Sequence, residues 1–212
     1  MPYIPAVIFG VLLTIYWARV VRLVYKVRKA TGRSANFRPP ERLGRALRLL
    51  WVPIVIIWIA QGYVAGLIPD FRLPGLVRPL FRNEILAWSS ALVGIAALAA
   101  TMVCWKKMGK DWRMGINPDE KTQLIVSGPY AFVRHPIYAL SSILMLATLA
   151  TIPSPLMLAV GLVHLSLLQW EARREEQYLV VHHGEAYADY RRRVGGFVPV
   201  SLTPYQPMQP LR

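Results

Sequence analysis

Two stretches of this sequence place charged and aromatic side chains at the edges of long apolar runs. In the first, GPYAFVRHPIYAL at residues 128–140, Arg134 and His135 directly precede Pro136. Proline suits the first turn of a helix, whose free N–H groups and positive end can face an anion. In the second, Glu171 and Glu175 are four residues apart, so they share one face of a helix. Carboxylates at the edge of a membrane are costly unless they face a polar cavity or a cation, so both stretches are candidates for holding a charged ligand.

Each of these residues taken alone has a plainer interpretation. Arg134 could extend to the lipid headgroups, and His135 could be a hydrogen-bonded residue of the interface. Tyrosines near the ends of spans often form an interfacial belt, and an acidic pair beside arginines often forms a solvated helix face. The combination with the Gly-Pro turn favours a binding site over these alternatives.

The composition indicates which elements must position these residues. The chain has 212 residues, of which 55% are hydrophobic, and a net charge of +14. Soluble domains are about 45–50% apolar, so we expect a membrane protein with basic loops. The single cysteine, Cys104, excludes an internal disulfide and the usual cysteine-based zinc site. The sequence after Met1 is apolar without a charged region before it, which favours a first span over a cleaved signal peptide.

Five apolar stretches approach the about 17–25 residues that a spanning helix needs. They are residues 3–24, 49–68, 85–105, 137–152 and 156–170. The last two are short and are joined at Pro153-Ser154-Pro155, which predicts a helical hairpin. We therefore expect an all-α integral membrane protein with about five transmembrane helices in one domain. It would contain three spans in residues 1–105, a cytosolic loop in 106–136, the hairpin in 137–170, and cytosolic C-terminal helices and a tail in 171–212.

The distribution of lysine and arginine predicts the orientation. Residues 26–48 carry eight of them, residues 106–134 carry six, and the tail after Trp170 carries six. Residues 69–84 carry three, and the turn at Pro153 carries none. Because basic residues accumulate on the cytoplasmic side, we expect the cytoplasmic membrane, the N-terminus outside and the C-terminus in the cytosol. The charges flank apolar spans and form no single soluble stripe, so nucleic acid is not expected as a partner.

The polar candidates fall in two blocks that this orientation places in the cytosol. The loop before Pro136 is broken by glycines and prolines, with a short extended piece expected at residues 123–126. A structured loop of about 30 residues between two spans is more often functional than not. In the second block, Gly184 is expected to stop the helix that continues the fifth span. His182 and His183 suggest a metal, but a continuing helix directs adjacent histidines to different sides, so no metal site is expected.

These motifs carry a resemblance to a known family. The run Gly128-Pro129-Tyr130, Arg134-His135-Pro136 and Tyr138, followed by Glu175-Glu176 and GEAYADYRRRV, resembles the isoprenylcysteine carboxyl methyltransferase family. That family consists of integral membrane enzymes that use S-adenosylmethionine, and it is related to the phospholipid N-methyltransferases. The upstream MGKDWRMGI also resembles the family's Gly-x-x-Trp stretch. The resemblance covers roughly residues 100–200.

The resemblance implies a pocket for S-adenosylmethionine between the two blocks, facing the cytosol. The sulfonium and ammonium of this cofactor suit a carboxylate and aromatic faces, here Glu175, Tyr130 and Tyr138. Its carboxylate suits the donors of His135 or Arg134. By position, the implied cofactor-binding residues are Gln123, Leu124, Ile125, Tyr130, His135, Pro136, Ile137, Tyr138 and Glu175.

The chain departs from the family at one position that bears on the acceptor. Members acting on a prenylated cysteine have an arginine four residues before the first glutamate, where it holds the substrate carboxylate, whereas this chain has Glu171. Arg174 lies three residues further along the helix and could take the place of that arginine, although its side chain would point in a different direction. We therefore expect Glu171 and Arg174 to contact the substrate, and Glu171 and Arg134 to be catalytic. Glu171 suits an amine or a thiol, either as counter-charge or as the base.

The expected reaction is a single in-line displacement that transfers a methyl group to a lipophilic acceptor. The acceptor would enter from the bilayer near the hairpin and the third helix, and the cofactor from the cytosol. Alternatives remain: a phospholipid amine or a small thiol as acceptor, or a non-catalytic membrane protein that binds a partner or anionic lipid through its basic loops. A transporter is disfavoured because no inverted repeat is visible. The oligomeric state is open.

Overall fold

The computed structural model describes residues 1–32, 35–36, 39, 41–115 and 123–207. Within these ranges the chain forms five helices and no strand. The expectation of an all-α membrane protein is confirmed, and residues 123–126, where the sequence predicted a short extended piece, lie outside the helices. The helices are α1 (Ile4–Thr31), α2 (Arg42–Leu67), α3 (Glu84–Met108), α4 (Pro136–Thr151) and α5 (Pro155–Arg193).

Four helices, α1, α2, α3 and α5, are long and apolar enough to cross a membrane. The apolar helix α4 has only 16 residues, which at 1.5 Å per residue gives about 24 Å, shorter than the hydrocarbon core of about 30 Å. The predicted hairpin is present, since α4 ends at Thr151 and α5 begins at Pro155. The Ser154 side chain caps α5 by accepting from the N–H of Met157 at 3.1 Å. The five predicted spans are therefore four long helices and one shorter one.

Two helices extend beyond the apolar stretches that predicted them. α1 continues to Thr31 and α2 begins at Arg42, so both carry basic turns past their apolar parts. Hydropathy detects only the part of a helix that lies in the lipid, because helical turns outside the bilayer can consist of polar residues.

The packing of α1 against α2 depends on small residues. A Cβ atom on Gly62 would lie 2.5 Å from the backbone nitrogen of Gly10, and one on Gly66 would lie 2.9 Å from that of Val7. Glycine therefore allows the two backbones to touch, as small residues do between membrane helices. This close contact fixes where the first turns of α2 present their side chains relative to α1.

α5 combines a membrane segment with a long polar extension. Its 29 residues up to His183 span about 43 Å, more than the hydrocarbon thickness of about 30 Å, so part of it must project from the bilayer. At Gly184 the backbone leaves helical geometry with φ 50° and ψ −129°, which confirms the predicted stop. The chain beyond this kink folds back onto the segment that precedes α4.

Backbone hydrogen bonds fix that returning chain. The N–H of Arg134 donates to the carbonyl of Gly195 at 2.8 Å, and the N–H of His135 donates to that of Gly196 at 2.9 Å. The Tyr190 hydroxyl donates to the carbonyl of Tyr130 at 2.6 Å. The two polar blocks, about 40 to 60 residues apart in sequence, are thereby joined into one unit.

Candidate active site

The two polar blocks enclose connected cavities between the helix ends. The large cavity, about 870 Å³ with the space at its mouth, lies among α1–α5 and the segment before α4. The small cavity, about 570 Å³, lies between that segment and the kinked end of α5. Both cavities are lined by Met108, Arg113, Tyr130, Arg134, His135 and Glu175.

The structure brings most of the predicted site residues to these walls. Gln123, Leu124 and Ile125 line the small cavity. The large cavity is lined by Tyr130, Arg134, His135, Pro136, Ile137, Tyr138, Glu171 and Glu175. Arg174 is the exception, because it lines neither cavity.

Arg134 holds the two blocks together. Its Nε and Nη2 donate to Glu176 Oε1 at 3.0 and 2.6 Å, and its Nη1 donates to the carbonyls of Arg191 and Val194. His135 Nε2 also lies 3.1 Å from Glu176 Oε1. All three guanidinium nitrogens are therefore engaged by protein acceptors. Glu176 also lies 3.4 Å from Arg191 Nε, so three neighbours contact its carboxylate. We call this group of Arg134, His135 and Glu176 the latch.

Glu175 has no comparable partner, although it is the next residue along the helix. Its carboxylate lies 3.7 Å from His135 Nδ1 and hydrogen-bonds Tyr138, and 24% of its side chain is exposed. The His135 ring stacks on Tyr138 with centroids 5.6 Å apart and planes within 10°. A carboxylate beside aromatic rings that forms no ion pair with any described arginine presents negative charge to both cavities.

Tyr130 forms a buried wall that the two cavities share. It is 8% exposed, and burial raises the pKa of its phenol well above the ordinary value. The ring is therefore neutral at physiological pH and offers a π face without a competing negative charge.

Glu171 is a buried carboxylate whose charge is balanced from outside the cavity. It is 8% exposed, and Arg174 Nη1 lies 3.2 and 3.4 Å from its two oxygens. Arg174 Nη2 donates to Glu41 at 2.6 Å, which ties the start of α2 to α5. Arg174 thus balances the charge of Glu171 without lining either cavity, whereas Glu171 lines the large cavity.

Sequence reasoning missed the part of the large cavity that α1 and α2 supply. The sequence analysis gave Trp17 and Trp51 no role in the site and counted Arg48 only among the basic residues of 26–48, yet all three line the large cavity. The three-residue spacing of Arg48 and Trp51 on one helical face is the signal that would have linked them.

His164 is a second residue that the sequence analysis passed over. It is 1% exposed in the middle of α5, and its Nε2 lies 3.0 Å from Ser141 Oγ. Ser141 lines the large cavity and also hydrogen-bonds the Tyr16 hydroxyl. A lone histidine in an apolar run is a recognisable signal, since polar groups in a span are costly.

Comparisons with known proteins agree with the resemblance found in the sequence. Residues 90–181 match the family model "Isoprenylcysteine carboxyl methyltransferase (ICMT) family". The Nickel-cobalt-cadmium resistance protein NccN of Alcaligenes xylosoxydans xylosoxydans is 28% identical over 112 residues, which are 52% of this chain. The chain spans about half the length of that relative, with 51% covered. No solved structure matches this chain significantly.

The match confirms the predicted family resemblance over α3, the following loop, α4 and the first part of α5. These are the elements that carry the latch, Glu175 and Glu171. The family indicates a membrane methyltransferase-like protein, and the four long apolar helices agree with an integral membrane location.

Proposed function

We propose that this protein is an S-adenosylmethionine-dependent methyltransferase that modifies a lipophilic acceptor at the membrane interface. The observation that carries the proposal is the position of Tyr130, Tyr138 and Glu175 on the wall of one cavity. These residues come from two blocks that are distant in the chain, and the latch holds the blocks together.

The chemistry of the cavity fits the cofactor that the family implies. Glu175 is a carboxylate without an arginine partner among the described residues, and Tyr130 is a neutral buried ring. This pair suits a sulfonium and an ammonium. When bound, the cofactor would supply a methyl group on a positively charged sulfur.

The residues of this chain would contribute position and charge. Glu175, Tyr130 and Tyr138 would orient the cofactor, with Gln123, Leu124 and Ile125 on its far side. Pro136 and Ile137 would shape the wall where α4 begins. The engaged guanidinium of Arg134 favours a positioning role, because its nitrogens already bind Glu176 and two carbonyls.

Glu171 is the group that we assign to the acceptor. A buried carboxylate at this point repels a substrate carboxylate but attracts an ammonium, and it can take a proton from an amine or a thiol. Arg174 balances the charge of Glu171 without entering the cavity. An acceptor with an amine or thiol nucleophile therefore fits better than an isoprenylcysteine carboxylate.

Methyl transfer and cofactor binding test this function together. The full-length protein in neutral detergent should bind S-adenosylhomocysteine in calorimetry. It should also transfer label from S-adenosylmethionine to long-chain amines or thiols more than to a farnesylcysteine mimic. Glu171→Gln should lower transfer at least about tenfold, since general base catalysis contributes roughly 10²–10⁴-fold, with cofactor affinity kept.

Two results would contradict parts of this proposal. Absence of S-adenosylhomocysteine binding would support the non-catalytic alternative, in which the basic loops bind a partner or anionic lipid. Turnover of the farnesylcysteine mimic alone would refute an amine or thiol acceptor while leaving the methyltransferase assignment in place.

A further inference from the structure

The end of the large cavity that α1 and α2 line is rich in hydrogen-bond donors. Arg48 Nε, Trp17 Nε1 and Trp51 Nε1 are buried and have no partner among the described residues. All three residues line the large cavity, and none lines the small one. Buried donors without acceptors are costly, so three at one end of a cavity indicate that a ligand supplies the acceptors.

The charges around the cavity distinguish Arg48 from two other arginines. Arg134 is paired with Glu176 at 2.6 Å, and Arg174 is paired with Glu41 at 2.6 Å and with Glu171. Arg48 forms no such pair with a described carboxylate. Its charge interacts with that of Glu171 only from beyond ion-pair distance, so no described carboxylate is in direct contact with the guanidinium.

The contacts that Arg48 does make are weak. Its Nη2 donates to the carbonyl of Met114 at 3.2 Å, and its Nη1 lies 3.8 Å from the sulfur of the same residue. Its guanidinium carbon is 5.9 Å from the centre of the Trp51 ring. These contacts fix the direction of the side chain, but they do not supply an anion.

We propose that Arg48, with the indole N–H groups of Trp17 and Trp51, binds an anionic group on the methyl acceptor. This inference rests on the proposed function and specifies its substrate. The acceptor would carry a phosphate or a carboxylate near its nucleophile, so that the anion meets Arg48 while an amine or thiol meets Glu171. Guanidinium and indole N–H groups suit both anions, because they offer only donors.

The position of Arg48 favours the acceptor over the cofactor. The small cavity contains Gln123, Leu124 and Ile125, the residues implied to bind the cofactor, and it does not reach Arg48. The large cavity, which Arg48 lines, also has apolar and aromatic lining residues, among them Val20, Trp105 and Leu168. Such a wall suits the hydrocarbon part of a lipid next to its charged group.

The test measures ligand binding to the full-length protein in neutral detergent with S-adenosylhomocysteine present. Decyl phosphate, decanoate and decanol are titrated separately, with tryptophan fluorescence and calorimetry as readouts. The two anions distinguish a phosphate from a carboxylate, and decanol reports the hydrocarbon contribution. We expect at least one anion to bind more tightly than decanol.

Variants assign that preference to Arg48. Arg48→Gln should weaken binding of the preferred anion about 10- to 100-fold, as expected for loss of a charged hydrogen bond. Binding of decanol and of S-adenosylhomocysteine should stay within about twofold. Arg45→Gln removes the same charge one turn earlier on α2, outside both cavities, and should change none of these affinities. Arg48→Lys, which keeps the charge without the guanidinium fork, should give an intermediate loss and replaces Arg48→Gln if that variant does not fold.

Three outcomes overturn the inference. In the first, the Arg48 variants bind the anions as the unmodified protein does. In the second, they lose S-adenosylhomocysteine as strongly as the anion, which would place Arg48 in the cofactor site. In the third, Arg45→Gln has the same effect, which would show attraction by general surface charge. Failure of the unmodified protein to bind S-adenosylhomocysteine is a separate result, and it refutes the proposed function itself.

Discussion

At the scale of single residues, Glu175 and Glu176 are neighbours with different tasks. Successive residues on a helix point about 100° apart, so the two carboxylates face different surroundings. Glu176 faces Arg134 and His135, and its side chain is 13% exposed. Glu175 lines both cavities, where its carboxylate lies near His135 and Tyr138. One acidic pair thus supplies a structural anchor and, under the proposed function, a group that binds the cofactor.

Substitution of each glutamate by glutamine should separate these tasks. Glu176→Gln removes a charged, mostly buried partner of Arg134, at a cost of about 2 kcal/mol. The melting temperature in detergent should fall by about 4–8 °C. Glu175→Gln should leave it within about 1 °C and weaken S-adenosylhomocysteine binding at least about tenfold in calorimetry. The opposite assignment, with Glu175→Gln unstable and Glu176→Gln stable but unable to bind, would contradict the latch.

The residues of the site were predictable from sequence where the chain itself groups them. Tyr130, His135 and Glu175 lie in short motifs whose types suggest a ligand, and the structure brings them to one cavity. Arg48 was not predictable in this way, because only the packing of α1 on α2 carries it to the same wall. The direction of the Arg174 side chain was not predictable either, since its partner Glu41 is 133 residues away in the sequence.

At the scale of elements, the kink in α5 closes the site. The predicted stop at Gly184 lets the end of the helix return to the segment before α4. There Tyr187 and Tyr190 line the small cavity, and Tyr190 bonds the carbonyl of Tyr130. The glycine was predictable because it interrupts a helical pattern. The target of the returning chain was not, since it depends on hydrogen bonds to residues about 60 positions earlier.

Gly184→Ala should disturb this closure. With φ at +50° and ψ at −129°, the position strains any residue with a Cβ by about 1–3 kcal/mol, although no neighbouring atom would clash. We expect a melting temperature about 3–9 °C lower and weaker S-adenosylhomocysteine binding. Gly75→Ala is the matched control, because that glycine also has open space around it but an ordinary φ. Equal stability of the two variants would show that the kink is not fixed in the folded protein.

At the scale of the whole molecule, charge and hydropathy have separate effects. The apolar stretches determine that four long helices can span and that α4 is shorter. The three clusters of basic residues determine how those helices are expected to insert. The cavities lie at the end of the bundle where these clusters lie, around Arg48, Arg113 and Arg134. Under the proposed function, the cofactor would enter from the cytosol and the lipid from the bilayer, and both routes require this orientation.

Cysteine labelling tests the orientation directly. Cys104 is 1% exposed, so the unmodified protein should react little with a membrane-impermeant maleimide. Gly75→Cys places a thiol in the exposed loop between α2 and α3, and Ser201→Cys places one in the exposed chain after α5. In intact cells the first should be labelled and the second should not, whereas both should react after permeabilisation. Labelling of position 201 in intact cells would put the basic clusters and the cavities outside, and the cytosolic supply of S-adenosylmethionine could then no longer reach the site.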